Sequence, residues 1–254
     1  YEWYKKDSFT KALVEDSHNI RNMIIAGGEP FYIKEHKELI KKLVEAGTSH
    51  NIDIAYHTNG TIYDQELVDL WENFKQVTLY FSLDSYKPVN RYLRYPSYFD
   101  LVEKNLHKFD TLCSPNVRMD ILATTTNLSL WYTPEFVKWV QDQQFLRITY
   151  KNDDPMRGYI MSGVVHYPEF LNPAVLPKKV KKAITFKILK HIDEYKDTLV
   201  FDNLKSYVDM MNASDLSFRL PELKEYLENL DKLRPTDYKD TFKELLDIGL
   251  FDDI

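Results

Sequence analysis

The chain has 254 residues, 44% of them hydrophobic and 14% aromatic, enough to bury the core of one large domain or one and a half. Its 33 Lys and Arg stand against 39 Asp and Glu, a mildly acidic balance that offers no basic arm to nucleic acid, and the single cysteine, Cys113, excludes an internal disulfide framework or a multi-cysteine metal site within these residues. No apolar run approaches the roughly 20 residues that span a bilayer, and the first residues lack the apolar core of a secretory signal, so no membrane is expected as a partner and the cytoplasm is the expected compartment.

Residues 1–20 read as a helix with Phe9, Leu13 and Val14 on one side, broken by Glu15-Asp-Ser-His-Asn19. The next stretch, Asn22-Met-Ile-Ile-Ala-Gly-Gly-Glu-Pro30, is a short apolar run meeting two glycines, a carboxylate and a proline, the signature of a buried strand that delivers an exposed loop. Gly27 and Gly28 accept backbone angles closed to other residues and remove side-chain bulk, so a ligand can reach the main chain, with Glu29 at the rim. Glu35 to Ala46 carries Leu39, Ile40, Leu43 and Val44 at helical spacing, and Gly47 stops it.

The strand–helix unit recurs. Ile52 to Gly60 reads as a strand ending in a polar turn, Asp64 to Phe74 as a helix, Gln76 to Asp84 as a third strand and Tyr98 to Leu112 as its helix. Val117 to Thr125 and Pro134 to Gln143 repeat the pattern, and Leu146 to Tyr150 reads as a fifth strand. Strands alternating with helices of this length need crossover connections, hence a parallel sheet, open or closed into a barrel. After Asn152-Asp-Asp-Pro155 the period is lost through residue 177, and Lys178 to Tyr195, Asn203 to Met211, Pro221 to Leu233 and Asp237 to Leu246 read as helices. These patterns place a boundary near residue 152, between domains 1–151 and 152–254.

The strand ends carry Gly27-Gly28-Glu29, Thr58-Asn59-Gly60, Ser82-Leu83-Asp84 and Thr124-Thr125-Thr126-Asn127, and parallel topology gathers such ends at one mouth. Small hydroxyls, an amide, carboxylates and flexible glycines suit a polar small molecule with an amine, a carboxylate and a sugar. Ordinary turn chemistry explains each alone; their recurrence in consecutive units is the signal. His57 alternates with Thr58 and reads as a structural histidine, the lysines at 178, 179, 181 and 182 as a solvated helix face, and Cys113, with no base nearby in sequence, as a packing residue. Tyr150 reads as a packing residue or a contact to substrate or radical, and the aromatic stretch from Tyr159 to Phe170 as a lid over the mouth or a surface loop.

The order Ala26-Gly-Gly-Glu-Pro30, Thr58-Asn-Gly60, Ser82-Leu-Asp84 and Asn90-Arg-Tyr-Leu-Arg94 resembles the radical S-adenosylmethionine enzymes, in particular the twitch-domain group with SPASM-like C-terminal extensions. The resemblance covers residues 20–150 and more loosely Phe218 to Leu223. It implies an α/β fold, a partial TIM-type (β/α)6 barrel with parallel strands plus a mainly helical, twitch-like C-terminal subdomain. The cofactors it implies are S-adenosylmethionine and a [4Fe-4S] cluster. Gly27, Gly28, Glu29 and Pro30 would form the loop that receives the methionine amino group, Ser82 and Asp84 would lie near the ribose, and Arg94 would meet the methionine carboxylate. Thr58, Asn59, Thr124 and Asn127 would line the same mouth.

The family holds its cluster through a CxxxCxxC segment that these residues lack, so the resemblance places the cluster ligands, with the first barrel strand, upstream of Tyr1. The implied reaction is reductive cleavage of S-adenosylmethionine to a 5'-deoxyadenosyl radical that takes a hydrogen from substrate, a peptide or protein among the candidates. An electron donor such as flavodoxin or ferredoxin would serve it. Two other readings are a cluster-free binding or scaffold relative, and a barrel hydrolase or lyase using Glu29 and Asp84 as an acid–base pair.

Overall fold

The structure, a computed structural model, describes residues 6–148, 160–195, 204–252 and 254. Its elements in chain order are α1 (Asp7–Glu15), β1 (Asn22–Ile25), α2 (Lys34–Glu45), β2 (Asp53–Thr58), α3 (Gln65–Trp71), β3 (Gln76–Ser82), α4 (Lys87–Leu93), α5 (Phe99–Leu112), β4 (Val117–Thr125), α6 (Thr133–Gln143) and β5 (Ile160–Val164). They are followed by α7 (Lys178–Glu194), α8 (Leu204–Asn212), α9 (Leu220–Leu233), α10 (Tyr238–Thr241) and α11 (Lys243–Asp247). No helix among the described residues is long and apolar enough to cross a membrane.

The five strands are parallel and lie in one sheet in the order β1-β2-β3-β4-β5. An order that follows the sequence without reversing is that of a (β/α) barrel, whereas a doubly wound sheet reverses at a switch point. The fold is therefore α/β of the partial-barrel type, with a mainly helical C-terminal part. Asn22 pairs with Asp53 and Asp53 with Gln76, and this register continues to Ile25 with Tyr56 and Thr58 with Phe81, so the loops after β1 and β2 leave the sheet side by side.

Contacts divide the chain into two compact units that interleave along it. One holds residues 1–82, 100–121 and 145–159, the other residues 83–99, 122–144 and 160–254. In the first unit the alternation along β2 and β3 puts Ile54, Tyr56, Val77, Leu79 and Phe81 at 3% exposure or less. The Tyr56 ring lies 5.4 Å from those of Phe31 and Trp71, and Phe109 of α5 is 5.5 Å from Phe81, so aromatic rings bind helices to sheet. In the second unit Trp139 of α6 stacks on Tyr86 and meets Phe99 edge-on, and Tyr92 of α4 meets Phe242 edge-on at 5.0 Å.

Three sequence expectations change. β1 is not buried: it is the edge of the sheet, and Ile24 is 71% exposed. A further helix, α4, forms over Lys87–Leu93, where Pro88 stands in the first turn and needs no amide partner. The strand expected over Leu146–Tyr150 lies partly outside the described residues, and Leu146–Ile148 form bends. Their amides are taken locally: Asp110, 6% exposed, accepts the backbone N–H groups of Leu146 and Arg147, while the Arg147 guanidinium donates to the carbonyls of Asp110, Cys113, Ser114 and Val117 at the end of α5. Among the described residues the fifth strand is Ile160–Val164, inside the stretch that had no sequence period because it is short and interrupted by Gly163.

At the centre of the first unit the buried Tyr56 hydroxyl accepts from Trp71 Nε1 at 3.3 Å and lies 3.2 Å from His36 Nε2. Burial pushes the His36 imidazole down to about 4, so the ring is neutral at pH 7. A group whose folded value is depressed this way contributes stability that is present above its unfolded value near 6.5 and lost as pH falls toward 4. Urea unfolding of the protein and of His36→Gln should therefore diverge: between pH 6.5 and pH 4 the wild type loses about 3 kcal/mol that the variant does not lose. Parallel losses in both proteins would exclude His36.

Candidate functional site

Two clusters of strand-end residues form, one in each unit. In the first, the chain leaves β1 through Ala26 and turns at Gly27 (φ +99°) and Gly28 (φ +58°), backbone angles that strain any side chain. Both glycines are exposed, nothing lies within 4 Å of where a Cβ would stand, and their peptide groups make no hydrogen bond to the described residues. They line one end of a groove of about 560 Å³ formed with Phe9 and Leu13 of α1, Met23 and Ile25 of β1 and His36 of α2.

Glu29 ends the loop, and its carboxylate is consumed by the protein. Oε1 accepts from Thr58 Oγ1 at 2.8 Å and more weakly from the Phe31 N–H at 3.4 Å, while Oε2 accepts from the Asn59 N–H at 2.7 Å. The residue is 8% exposed, buried rather than standing at the rim. Glu29 caps the short turn Pro30–Tyr32 and ties the loop after β1 to the end of β2; Pro30 starts that turn and is buried. Asn59 Oδ1 folds back onto Thr61, accepting from its N–H and its hydroxyl, and Gly60 (φ +74°) leaves only 3.0 Å between a would-be Cβ and Val102. Thr58 and Asn59 thus hold the turn, while Ser82 ends β3 half-buried.

In the second unit, Asp84 follows β3 and binds three groups. Its Oδ1 accepts from Arg94 Nη2 at 2.9 Å and from the Thr124 N–H at 2.7 Å, and its Oδ2 is 2.7 Å from Arg94 Nε. At Nε the contact is a close ion pair rather than an aligned hydrogen bond. The Asn90 side chain steadies the turn by accepting the Asp84 N–H at 3.0 Å. Asn127, fully buried, donates through Nδ2 to the Phe170 carbonyl and through its N–H to the Leu171 carbonyl, a tie to the segment after β5.

Asp84, Arg94 and Thr124 line a cavity of about 310 Å³ together with Tyr92, Tyr226 and Arg234. Sequence reasoning missed these last three. Tyr226 and Arg234 arrive from α9 and its end, more than a hundred residues from β3, and no local pattern links them.

Free, exposed carbonyls at Gly27 and Gly28 fit the amino group of S-adenosylmethionine, since an ammonium needs acceptors and a close main-chain approach. An iron–sulfur cluster does not fit: no group of three or more His, Cys, Asp or Glu forms a metal site among the described residues. Cys113 is buried, and burial pushes its thiol up to about 12 against the pull of Arg147, so the free thiol is protonated at pH 7, and one cysteine cannot supply a cluster's thiolates. His57, half-buried, packs 5.2 Å from Tyr80. Tyr150 and Tyr159 lie outside the described residues.

Residues 3–128 match the family model of the Radical SAM superfamily. No curated protein matches the chain. Among solved structures, "Native anSMEcpe with bound AdoMet" is 20% identical over 74% of this chain and 53% of that one, with a TM-score of 0.49. A second, "Native anSMEcpe with bound AdoMet and Cp18Cys peptide", is 19% identical over 74% and 54%, with the same TM-score of 0.49. The chain spans about half the length of these solved chains.

Removing the Glu29 carboxylate strips a buried hydroxyl and a buried amide of their acceptor, so Glu29→Ala should lower the unfolding free energy by about 3 kcal/mol and Glu29→Gln by less. Denaturant titration of the two variants measures it. A loss under about 0.5 kcal/mol for the alanine variant would mean the carboxylate does not hold the loop.

Proposed function

We propose, from the match of residues 3–128 to the Radical SAM family model, that this chain is the S-adenosylmethionine-binding part of a radical SAM enzyme. The observation that carries the reading is the loop after β1. It offers a ligand two left-handed glycines with free peptide groups, within the matched residues and at the carboxyl end of a parallel strand, where such folds bind ligands.

When bound and reduced by one electron, S-adenosylmethionine supplies methionine and a 5'-deoxyadenosyl radical that takes a hydrogen atom from substrate. The protein's own residues bind and orient. The Gly27 and Gly28 carbonyls accept the methionine ammonium, and Glu29 fixes the loop that presents them rather than meeting the ligand itself. Asp84, held by Arg94 and the Thr124 amide, is set as an acceptor for ribose hydroxyls through the lone pairs those donors leave free. Both carboxylates are occupied by donors, which weighs against their use as a free acid–base pair. A peptide or protein substrate and a flavodoxin- or ferredoxin-like donor are what the proposed class would use.

The cluster does not fit the residues present, so its thiolates would come from sequence outside these 254 residues. The same observation favours a second reading, a cluster-free relative that binds the cofactor without cleaving it. One anaerobic experiment separates the two. Protein purified from its native host should contain iron and sulfide and, once reduced with dithionite, release 5'-deoxyadenosine from S-adenosylmethionine, whereas the 254-residue chain should do neither. Native protein without iron and without 5'-deoxyadenosine would leave the non-catalytic reading.

A further inference from the structure

The cavity at the ends of β3 and β4 in the second unit contains three charged side chains, Asp84, Arg94 and Arg234. The first two neutralise each other at 2.7 and 2.9 Å. Arg234 forms no ion pair among the described residues, and its Nε is buried without an acceptor. Asp231, one turn earlier, is used elsewhere, accepting from Thr236 Oγ1 and from the Tyr238 N–H, each at 2.7 Å.

Arg234 is positioned by tyrosines: its guanidinium lies 4.7 Å from the centre of the Tyr92 ring and 5.5 Å from that of Tyr95, and it also meets the Tyr92 hydroxyl, which Asp231 contacts as well. A ring face engages the flat side of a guanidinium and leaves the N–H groups at its edge available, the geometry that suits a carboxylate or another oxyanion. The Tyr226 hydroxyl, which bonds to no described residue, lines the same cavity as a further donor. The remaining wall is largely aliphatic, from Leu93, Leu128, Val165, Leu171 and Leu230, and a wall of low polarity strengthens the attraction for a charge that enters. A buried donor without an acceptor is costly, so a site of this kind is completed by a ligand.

From this we infer that the cavity binds an oxyanion, a carboxylate attached to a small apolar body, with Arg234 as its anchor. A volume of about 310 Å³ admits a ligand of roughly ten non-hydrogen atoms at about 30 Å³ for each water-sized group. The site shares its cavity with Asp84, Arg94 and Thr124, which the cofactor reading above also uses, but it rests on charge, volume and burial at Arg234. The carboxylate belongs to a ligand other than S-adenosylmethionine, and the test distinguishes the two.

The probes are N-acetyl-leucine, its uncharged amide and S-adenosylmethionine, each titrated calorimetrically into the purified protein, Arg234→Met and Arg234→Lys. If the ligand is separate, N-acetyl-leucine binds at least about tenfold more tightly than the amide, Arg234→Met removes that difference, Arg234→Lys keeps part of it, and S-adenosylmethionine affinity is unchanged. A fall of at least about tenfold in S-adenosylmethionine affinity in Arg234→Met without an acid–amide difference in the wild type would assign the residue to the cofactor and overturn the proposal. Should Arg234→Met fail to fold, the acid–amide difference in the wild type and the Arg234→Lys response still decide. Equal affinity for acid and amide in the wild type would likewise overturn the proposal.

Discussion

The arrangement at the end of β1 depends on one buried carboxylate. Glu29 accepts from the Thr58 hydroxyl and the Asn59 amide, and through them the loop after the first strand is fixed to the end of the second. Without those bonds a loop with two consecutive left-handed glycines would have little to define it, because glycine loses more conformational freedom on folding than any other residue. Donors that are themselves part of β2 and its turn give the carboxylate a rigid partner. The peptide groups of Gly27 and Gly28 stay open as a result: the loop is held from its far end, by Glu29 and the Pro30 turn, and not through the glycines.

The second unit uses the same device with different partners. Asp84, just past β3, accepts the Thr124 N–H near the end of β4 and pairs with Arg94 at the end of α4. In each case a carboxylate that follows one strand satisfies an amide at or near the end of the next. That explains why parallel strand ends, which leave amides unpaired, carry acidic residues even where those residues are not the reacting groups. It also separates two meanings of a strand-end carboxylate. One that is saturated by donors positions its neighbours; one that is unpaired is a candidate for proton transfer, and neither Glu29 nor Asp84 is of that kind.

The strands and helices of the first unit were largely legible in sequence because each carries one strong period: alternation in Asp53–Thr58 and Gln76–Ser82, helical spacing in Lys34–Glu45. What the sequence did not disclose is set by long-range pairing. The bends at Leu146–Ile148 come from Asp110, 36 and 37 residues earlier in the chain, which takes two amides that a strand would need. β5 is short and glycine-interrupted, and only its neighbours in the sheet make it a strand. Glu29 was legible as a special position, yet its burial was not, since the sequence does not show that Thr58 and Asn59 lie within reach of it. Arg234 was invisible for the same reason: its meaning comes from Tyr92, more than a hundred residues away, and from the cavity both line.

The central claim is that the Gly27–Gly28 loop receives the amino-acid end of S-adenosylmethionine. Backbone amide signals of this chain, followed by nuclear magnetic resonance during titration with S-adenosylmethionine, read that loop directly. Gly47 provides the internal control, being an exposed glycine in the same left-handed region (φ +69°) at the end of a helix, with no proposed ligand. The account predicts saturable shifts at Gly27 and Gly28 with Gly47 unmoved. Shifts absent from the loop, or equal at all three glycines, would contradict it.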